Sequence, residues 1–176
     1  MNELLQIMLN RRSVRKYTGE AIPEEKLKLI LQAGLASATS KNRKPWEFVV
    51  VQEKATLQAL AKCRAGAAGM LEKAGCAIVV FADILVTPDV WAEDCSIAMS
   101  NMHLMADALW LGSCWIQGRL RETAEGQSTE KYCQKLLGVP ENFALEAILS
   151  IGVPTERPKG YTSEDLKEEK IHWEKF

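Results

Sequence analysis

The chain has 176 residues, the length of one domain with a substantial hydrophobic core. Its hydrophobic share of 47% and charged share of 26% are those of an ordinary globular protein and exclude a fibrous or low-complexity one. A net charge of −1 gives no reason to expect nucleic acid or an anionic membrane as the main partner. Five cysteines without a CxxC pair predict reduced thiols in a cytoplasmic protein rather than a disulfide framework.

Helical and strand-like patterns alternate along the chain. The first predicted helix covers residues 3–9, and the second begins at Pro23 and ends at a polar loop over 36–46. Further helices are predicted over 54–64, 67–73, 90–111 and 130–137. Strands are predicted over 47–52, 76–83, 113–118 and 144–154. Four short buried strands intermixed with helices indicate an α+β or three-layer α/β domain. Residues 1–176 are interpreted as one domain, whose charged tail at about 155–176 carries no evident core.

The longest predicted element is the helix over residues 90–111. Asp89 is a candidate N-cap, and Gly112 follows where a helix would normally stop. Apolar residues occur on nearly all of its faces, which predicts burial in a large core or against a second subunit. A membrane span is excluded by the cost of its ionisable residues at bilayer depth; they are Glu93, Asp94, His103 and Asp107.

A basic turn, RRSVRKY, occupies residues 11–17. It brings four cations into six positions: Arg11, Arg12, Arg15 and Lys16. One interpretation is a solvated turn between two helices. The other is an anion site, because guanidinium groups donate in a planar fork that fits phosphate and Ser13 adds a hydroxyl donor. No Walker loop or GxGxxG motif accompanies the turn, so an ordinary dinucleotide fold is not indicated.

The polar loop at residues 36–46, ASATSKNRKPW, is the second candidate site. Its Thr39, Ser40 and Asn42 offer the donors and acceptors that the edge of a heteroaromatic ligand needs. The alternative is a plain polar loop beside a core tryptophan. Neither stretch is specific when taken separately.

Together the motifs are distinctive. An R-R-S-V-R-x-[FY] turn after an N-terminal helix, followed by an N-x-x-P-W-x-F loop, resembles the nitroreductase family of FMN-dependent oxidoreductases. The resemblance continues with VVF before the long helix, C-W-I-x-G after it and I-G-x-P at the end of the last strand. It implies a three-layer α/β/α fold with a mostly antiparallel sheet around a long buried helix. It also implies a homodimer with FMN at the subunit interface and NAD(P)H as the reductant of a small-molecule acceptor.

The resemblance assigns site residues by position. The turn that holds the FMN phosphate and the pyrimidine side of the flavin is matched by Arg11, Arg12, Ser13 and Arg15. The loop that the other subunit lays along the flavin is matched by Thr39, Ser40 and Asn42. The segment whose backbone approaches flavin N5 is matched by Gln117 and Gly118, where a glycine would permit close approach. Because N5 carries the hydride, no catalytic residue is implied, and His103 is interpreted as a satisfied helix residue rather than a base.

The chain also departs from the family pattern. It has Lys44 where Gln is common, Ala38-Thr39 where Pro-Ser is common, and Gln117 where many members have Glu. Many relatives place a second phosphate anchor late in the chain, and here Arg157 and Lys159 are candidates by neighbourhood alone. The tail, which ends in IHWEKF, is expected to pack on the partner subunit. The chain lacks the insertion that roofs the active site in larger members, which predicts an open pocket and broad substrate selection.

Three functions remain open at this point. The leading hypothesis is reduction of nitroaromatic, quinone or similar acceptors by NAD(P)H through bound FMN. A second is other flavin chemistry on the same fold, such as dehalogenation or enone reduction. The third is a non-catalytic protein that binds flavin, or senses it, without turnover.

Overall fold

The computed structural model describes residues 2–176. Five α-helices and four strands alternate along this part of the chain. The helices are α1 (Glu3–Asn10), α2 (Glu24–Leu35), α3 (Lys54–Leu60), α4 (Trp91–Ala108) and α5 (Thr129–Leu137), and the strands are β1 (Trp46–Val51), β2 (Cys76–Asp83), β3 (Gly112–Gln117) and β4 (Phe143–Gly152). All four predicted strands are present, within two residues of the expected bounds.

The strands form one antiparallel sheet in the order β1-β2-β4-β3. One face packs on α4 and α2, where Ile78 and Val80 of β2 meet the core around Met102. The opposite face packs on α3 and α5, where Val79 and Phe81 face the second core cluster. Because both faces are covered, β2 is a continuous buried run rather than an alternating one. The predicted three-layer α+β architecture is confirmed.

Two predicted helical segments after β1 are shorter than expected. The prediction of a helix over 54–64 is wrong in its last turn, because the amides of Lys62 and Cys63 bond to carbonyls only three residues back. The segment at 67–73 forms a 3₁₀ helix over Gly69–Lys73 and not an α-helix. Both segments close with the tighter hydrogen-bonding pattern that short helical pieces favour.

Both ends of the long helix differ from the prediction. Val90 takes the N-cap position and makes no side-chain cap, so the expected cap by Asp89 is wrong. At the other end α4 stops at Ala108, three residues early, because Trp110 adopts a left-handed conformation with φ 62°. The amide of Leu111 bonds to the carbonyl of Ala106 at 2.9 Å, and that of Trp110 bonds to Asp107 at 2.9 Å, as in a Schellman motif.

A β-bulge interrupts the pairing of β2 with β4. Val80 pairs with Ala147 while Phe81 pairs with Leu145, so Glu146 is the extra residue on β4. A bulge bends its strand and redirects side chains, and it often lies beside a functional site. Here it lies next to the end of β3.

The tail after β4 is largely exposed. Short 3₁₀ helices at Ser163–Asp165 and Glu168–Lys170 are its only regular elements within the described chain. The amide of Tyr161 donates to the carbonyl of Leu9 at 2.8 Å and ties the tail to the end of α1. Across residues 2–176 no helix is long and apolar enough to cross a membrane.

Candidate functional site

The arginine turn packs directly on the first residues of β3. Ser13 and Ser113 form an isolated parallel bridge, and the amide of Val14 donates to the carbonyl of Ser113 at 2.9 Å. A Cβ at Gly112 would lie 2.7 Å from Val14 Cγ1, so the close approach requires glycine. This glycine therefore positions the turn on the sheet, whereas it was expected to end the long helix.

The first arginine of the turn is held from α4. Arg11 Nη1 lies 2.9 Å from His103 Nε2, and His103 Nδ1 contacts Ser113 Oγ. A guanidinium has only donors, so Nε2 accepts from Arg11 and the ring proton lies on Nδ1, which donates to Ser113. Burial, and then the adjacent Arg11 charge, lower the pKa of His103 from 6.5 to about 4. The imidazole is therefore neutral at physiological pH.

The other cations of the turn have different surroundings. The Arg12 guanidinium lies over the Tyr161 ring, 4.0 Å from its centre, while Arg15 is exposed and donates to the carbonyl of Ser13 at 3.5 Å. Within residues 2–176, only Lys16 of the turn has a carboxylate partner at ion-pair distance, Glu156 at 2.7 Å. Among the described residues, none of the three arginines has a carboxylate at ion-pair distance, although the pKa of Asp165, lowered mainly by hydrogen bonds, is lowered further by the charge of Arg12.

A cavity of about 310 Å³ lies between α1, the end of α4 and the tail. Arg12 and Arg157 both line it. Arg157 donates to Asp107 at 3.1 Å and lies 5.4 Å from the centre of the Trp110 ring. Of the two late anchor candidates, Arg157 therefore faces the same cavity as Arg12 but already has a carboxylate partner. Lys159 is exposed and does not line this cavity.

The polar loop is anchored at the other end of α4. Thr39 Oγ1 donates to Asp94 Oδ2, and the amide of Ser40 donates to Asp94 Oδ1, each at 2.9 Å. The Lys44 amide in turn donates to Thr39 Oγ1 at 3.0 Å. Asp94 is only 3% exposed, so both of its oxygens are committed to holding the loop. The sequence analysis treated Asp94 as an ionisable residue of the long helix and gave it no part in the candidate site.

The same loop carries an unusual backbone. Lys41, Asn42 and Lys44 all have left-handed φ values, of 52°, 56° and 51°. Side chains other than glycine adopt this region at a cost, and such residues persist only where the surroundings determine them. The two hydrogen bonds to Asp94 supply that constraint. Neither of these bonds uses the side-chain hydroxyl of Ser40 or the side-chain amide of Asn42.

The turn and the loop are not brought together within one chain. Asp94 and His103, their respective anchors, are nine positions apart on α4, which corresponds to about 13 Å along the axis. The expectation that the loop contacts a ligand held by the other subunit stays a prediction.

The turn and the Gln117–Gly118 segment do share one strand. Ser113 is the second residue of β3 and Gln117 is the last, about 13 Å apart at strand spacing. Gln117 accepts from Trp115 Nε1 at 2.8 Å through its side chain, and from Arg64 at 3.4 Å through its carbonyl. Two of the three segments expected to contact the flavin, the arginine turn and the Gln117–Gly118 segment, therefore lie along β3.

Gly118 has a structural role that the sequence did not reveal. A Cβ there would lie 2.6 Å from Leu145 Cδ2, so packing beneath the strand requires glycine. Its amide donates to the carbonyl of Glu146 at 3.2 Å, as the amide of Arg119 does at 2.9 Å. Approach of a ligand is therefore not needed to explain this glycine.

Glu146 is a buried carboxyl that sequence reasoning missed. It is 4% exposed, with Oε1 accepting from Ser96 at 3.3 Å and Oε2 lacking any partner among the described residues. Burial raises the pKa of this carboxyl, while the bond from Ser96 and the charge of Arg119 partly oppose the shift. The sequence does mark Glu146, because it is the one charged residue in the otherwise largely apolar strand β4.

Comparison with known proteins gives a consistent result. The family model described as the nitroreductase family matches residues 8–68 and 58–153. An FMN-dependent nitroreductase from Clostridium difficile R20291 superposes with a TM-score of 0.93 at 42% identity, covering 98% of this chain and 99% of that one. A protein of Archaeoglobus fulgidus, named as an NADH dehydrogenase/NAD(P)H nitroreductase, is 33% identical over 180 residues, covering 100% of both chains.

A third relative was solved with a ligand. It is a protein from Desulfovibrio desulfuricans, classed as a nitroreductase and crystallised in complex with FMN. It is 28% identical, with a TM-score of 0.79, over 100% of this chain and 99% of its own. The family match covers most of the chain, and the similarity to each relative extends over nearly its full length. The chain belongs to the nitroreductase family.

Proposed function

We propose that this protein is an FMN-dependent oxidoreductase that uses NAD(P)H to reduce nitroaromatic, quinone or similar acceptors. The observation that carries the proposal is the arrangement along β3. Arginines that have no carboxylate at ion-pair distance among the described residues lie at the start of the strand, and the Gln117–Gly118 segment lies at its end. Family membership supports it, together with an FMN-dependent relative at 42% identity.

The donor set of the turn fits the phosphate of FMN. Arg11 and Arg12 would hold the phosphate with the hydroxyl of Ser13, because charge-assisted bonds from guanidinium groups suit a phosphate dianion. Arg15 would place positive charge at the pyrimidine side of the flavin. When bound, FMN supplies hydride transfer from a reduced nicotinamide to an oxidised acceptor through N5. The protein contributes binding, orientation and charge, so an acid–base dyad is not required.

We further propose a homodimer in which Thr39, Ser40 and Asn42 reach the flavin held by the partner. Exposed apolar side chains support this assembly, since large apolar patches on a protein commonly mark interfaces. They occur on α1, where Leu4 is 55% exposed, and in the tail, where Trp173 is 84% exposed. The tail at about 155–176 would pack on the second subunit. Five free, buried cysteines are consistent with a cytoplasmic location.

The test is the visible absorption spectrum of the purified protein, followed by heat release of whatever is bound. Flavin bands and about one FMN per chain are expected. Anaerobic addition of NADH or NADPH should then bleach the bands, and a panel of nitroaromatics and quinones should restore them. Bound FMN that neither nucleotide reduces would favour the non-catalytic alternative. A colourless protein with no affinity for added FMN would overturn the proposal.

A further inference from the structure

We propose that His103 is a positioning residue that aims the Arg11 guanidinium at the phosphate of FMN. The inference rests on the proposed function, since it concerns the same site. It assigns a purpose to a buried histidine that the hydride chemistry does not use.

The geometry joins three elements through one imidazole ring. His103 projects from α4, accepts from Arg11 of the turn at 2.9 Å and donates to Ser113 on β3. The ring is 7% exposed, so these two contacts account for both of its nitrogens without water. An imidazole held at both nitrogens cannot rotate without losing one of the bonds. It therefore fixes the direction of the Arg11 side chain relative to the sheet.

The charge of the group that holds Arg11 matters as much as its position. A carboxylate at this place would also hold Arg11 but would neutralise its charge, as Asp107 does for Arg157 at 3.1 Å. A neutral imidazole holds the cation and leaves its charge available to an anion. One of the five N–H donors of the guanidinium goes to His103, and the others remain for a bidentate contact with phosphate.

The arrangement is supported by the packing around it. The turn is already tied to β3 by the bridge between Ser13 and Ser113 and by the contact of Val14 with Gly112. These contacts fix the backbone of the turn without fixing the Arg11 side chain. A flexible arginine loses rotamer freedom when it binds an anion, so holding it in advance lowers that entropic cost.

The experiment compares FMN with riboflavin, which lacks the phosphate. Apoprotein is titrated with each flavin, and quenching of flavin fluorescence gives the two dissociation constants. H103L removes the acceptor for Arg11, and its FMN affinity should fall about tenfold. Its riboflavin affinity should stay within about twofold of the wild type. H103Q keeps an amide oxygen for Arg11 and an amide donor for Ser113, and should retain most of the FMN affinity.

A second variant, S113A, and a direct NMR measurement provide further tests of the inference. If H103L does not fold, S113A should show a smaller FMN-selective loss, because the ring loses the contact that orients it. Nitrogen-15 NMR of the histidine side chains should show a neutral ring protonated at Nδ1. A ring protonated at Nε2 would overturn the inference, because Arg11 could not then donate to it.

The flavin titrations also separate this inference from the proposed function. A wild-type protein that binds FMN, with variants that lose FMN and riboflavin affinity equally, would indicate a purely structural histidine and overturn the inference alone. Unchanged FMN affinity in folded H103L would do the same. A wild-type protein that binds neither flavin would overturn both proposals.

Discussion

Two buried polar residues on α4, Asp94 and His103, each hold one segment of the candidate site. Asp94 accepts from the hydroxyl of Thr39 and the amide of Ser40, while His103 accepts from Arg11. The carboxylate uses both of its oxygens to support a loop with three left-handed residues. The imidazole takes one N–H of a guanidinium and leaves the charge in place.

A buried polar contact can thus serve either the stability of the fold or the binding of a ligand. At Asp94 the donors of the loop are consumed, so loss of the contact is expected to cost stability first. At His103 the donor group keeps free N–H bonds, so loss of the contact is expected to cost affinity for an anion first. We expect substitutions at Asp94 and at the Arg11–His103 pair to separate in this way.

The largest effect is expected from Asp94→Ala. The substitution leaves the Thr39 hydroxyl and the Ser40 amide without their charged acceptor, and hydrogen bonds to charged groups contribute about 1.5–3 kcal/mol each. The free energy of unfolding should fall by about 3 kcal/mol in urea titrations. Asp89→Ala is the matched control, because Asp89 is exposed and does not cap the helix, and it should stay within about 0.5 kcal/mol of the wild type. Equal unfolding midpoints for the two variants would remove the structural role given to Asp94.

The second effect contrasts Arg11, which contacts His103, with Arg157, the late anchor candidate that lines the cavity. Arg11→Ala should weaken FMN binding by roughly ten- to a hundredfold, since a charge-assisted bond contributes about 1.5–3 kcal/mol. Arg157→Ala should weaken it less, because Asp107 already neutralises that guanidinium. Flavin titration of both variants measures the contrast, with circular dichroism as the check on folding. A larger loss in Arg157→Ala would show that the late anchor dominates and that the turn does not.

The third effect is a pH dependence of stability. The folded pKa of His103 is about 4, below its ordinary value of 6.5, because the buried ring beside Arg11 resists protonation. The unfolded chain therefore binds the proton first as pH falls. The stability from neutral His103 is complete above pH 6.5 and is lost toward pH 4, at up to about 1.4 kcal/mol per pH unit.

The control for this pH dependence is H103Q, which has no titrating group at the position. The difference in unfolding free energy between wild type and H103Q should change between pH 6.5 and 4.5 and stay constant above pH 7. Parallel pH profiles for the two proteins would show that the ring does not titrate as the geometry requires.

The smallest effect is expected at the exposed end of the turn. Lys16 pairs with Glu156 at 2.7 Å, but both side chains are more than 60% exposed, and such pairs contribute little to stability. Lys16→Ala should leave the unfolding midpoint unchanged within error, and FMN affinity should change far less than in Arg11→Ala. A loss as large as that of Arg11→Ala would mean that total charge, and not a positioned guanidinium, governs binding.

Much of the fold could be predicted because its signals are local. The strands β1 to β4 are short apolar runs bounded by turns, and all four were placed within two residues. The end of α5 was also predicted, with Gly138 in a left-handed conformation after Leu137. The end of α4 was not, because a tryptophan rarely adopts the conformation that Trp110 takes there.

Periodicity predicted the fold class, and motifs of neighbouring residues predicted the family and the segments expected at the candidate site. Which polar groups come into contact depends on the packing of elements that are distant in sequence. Arg11 and His103 are 92 positions apart and Thr39 and Asp94 are 55 apart, so no local pattern pairs them. A hydrogen bond requires two atoms within about 3 Å, and only the packing of α4 between the turn, the loop and β3 brings these atoms that close.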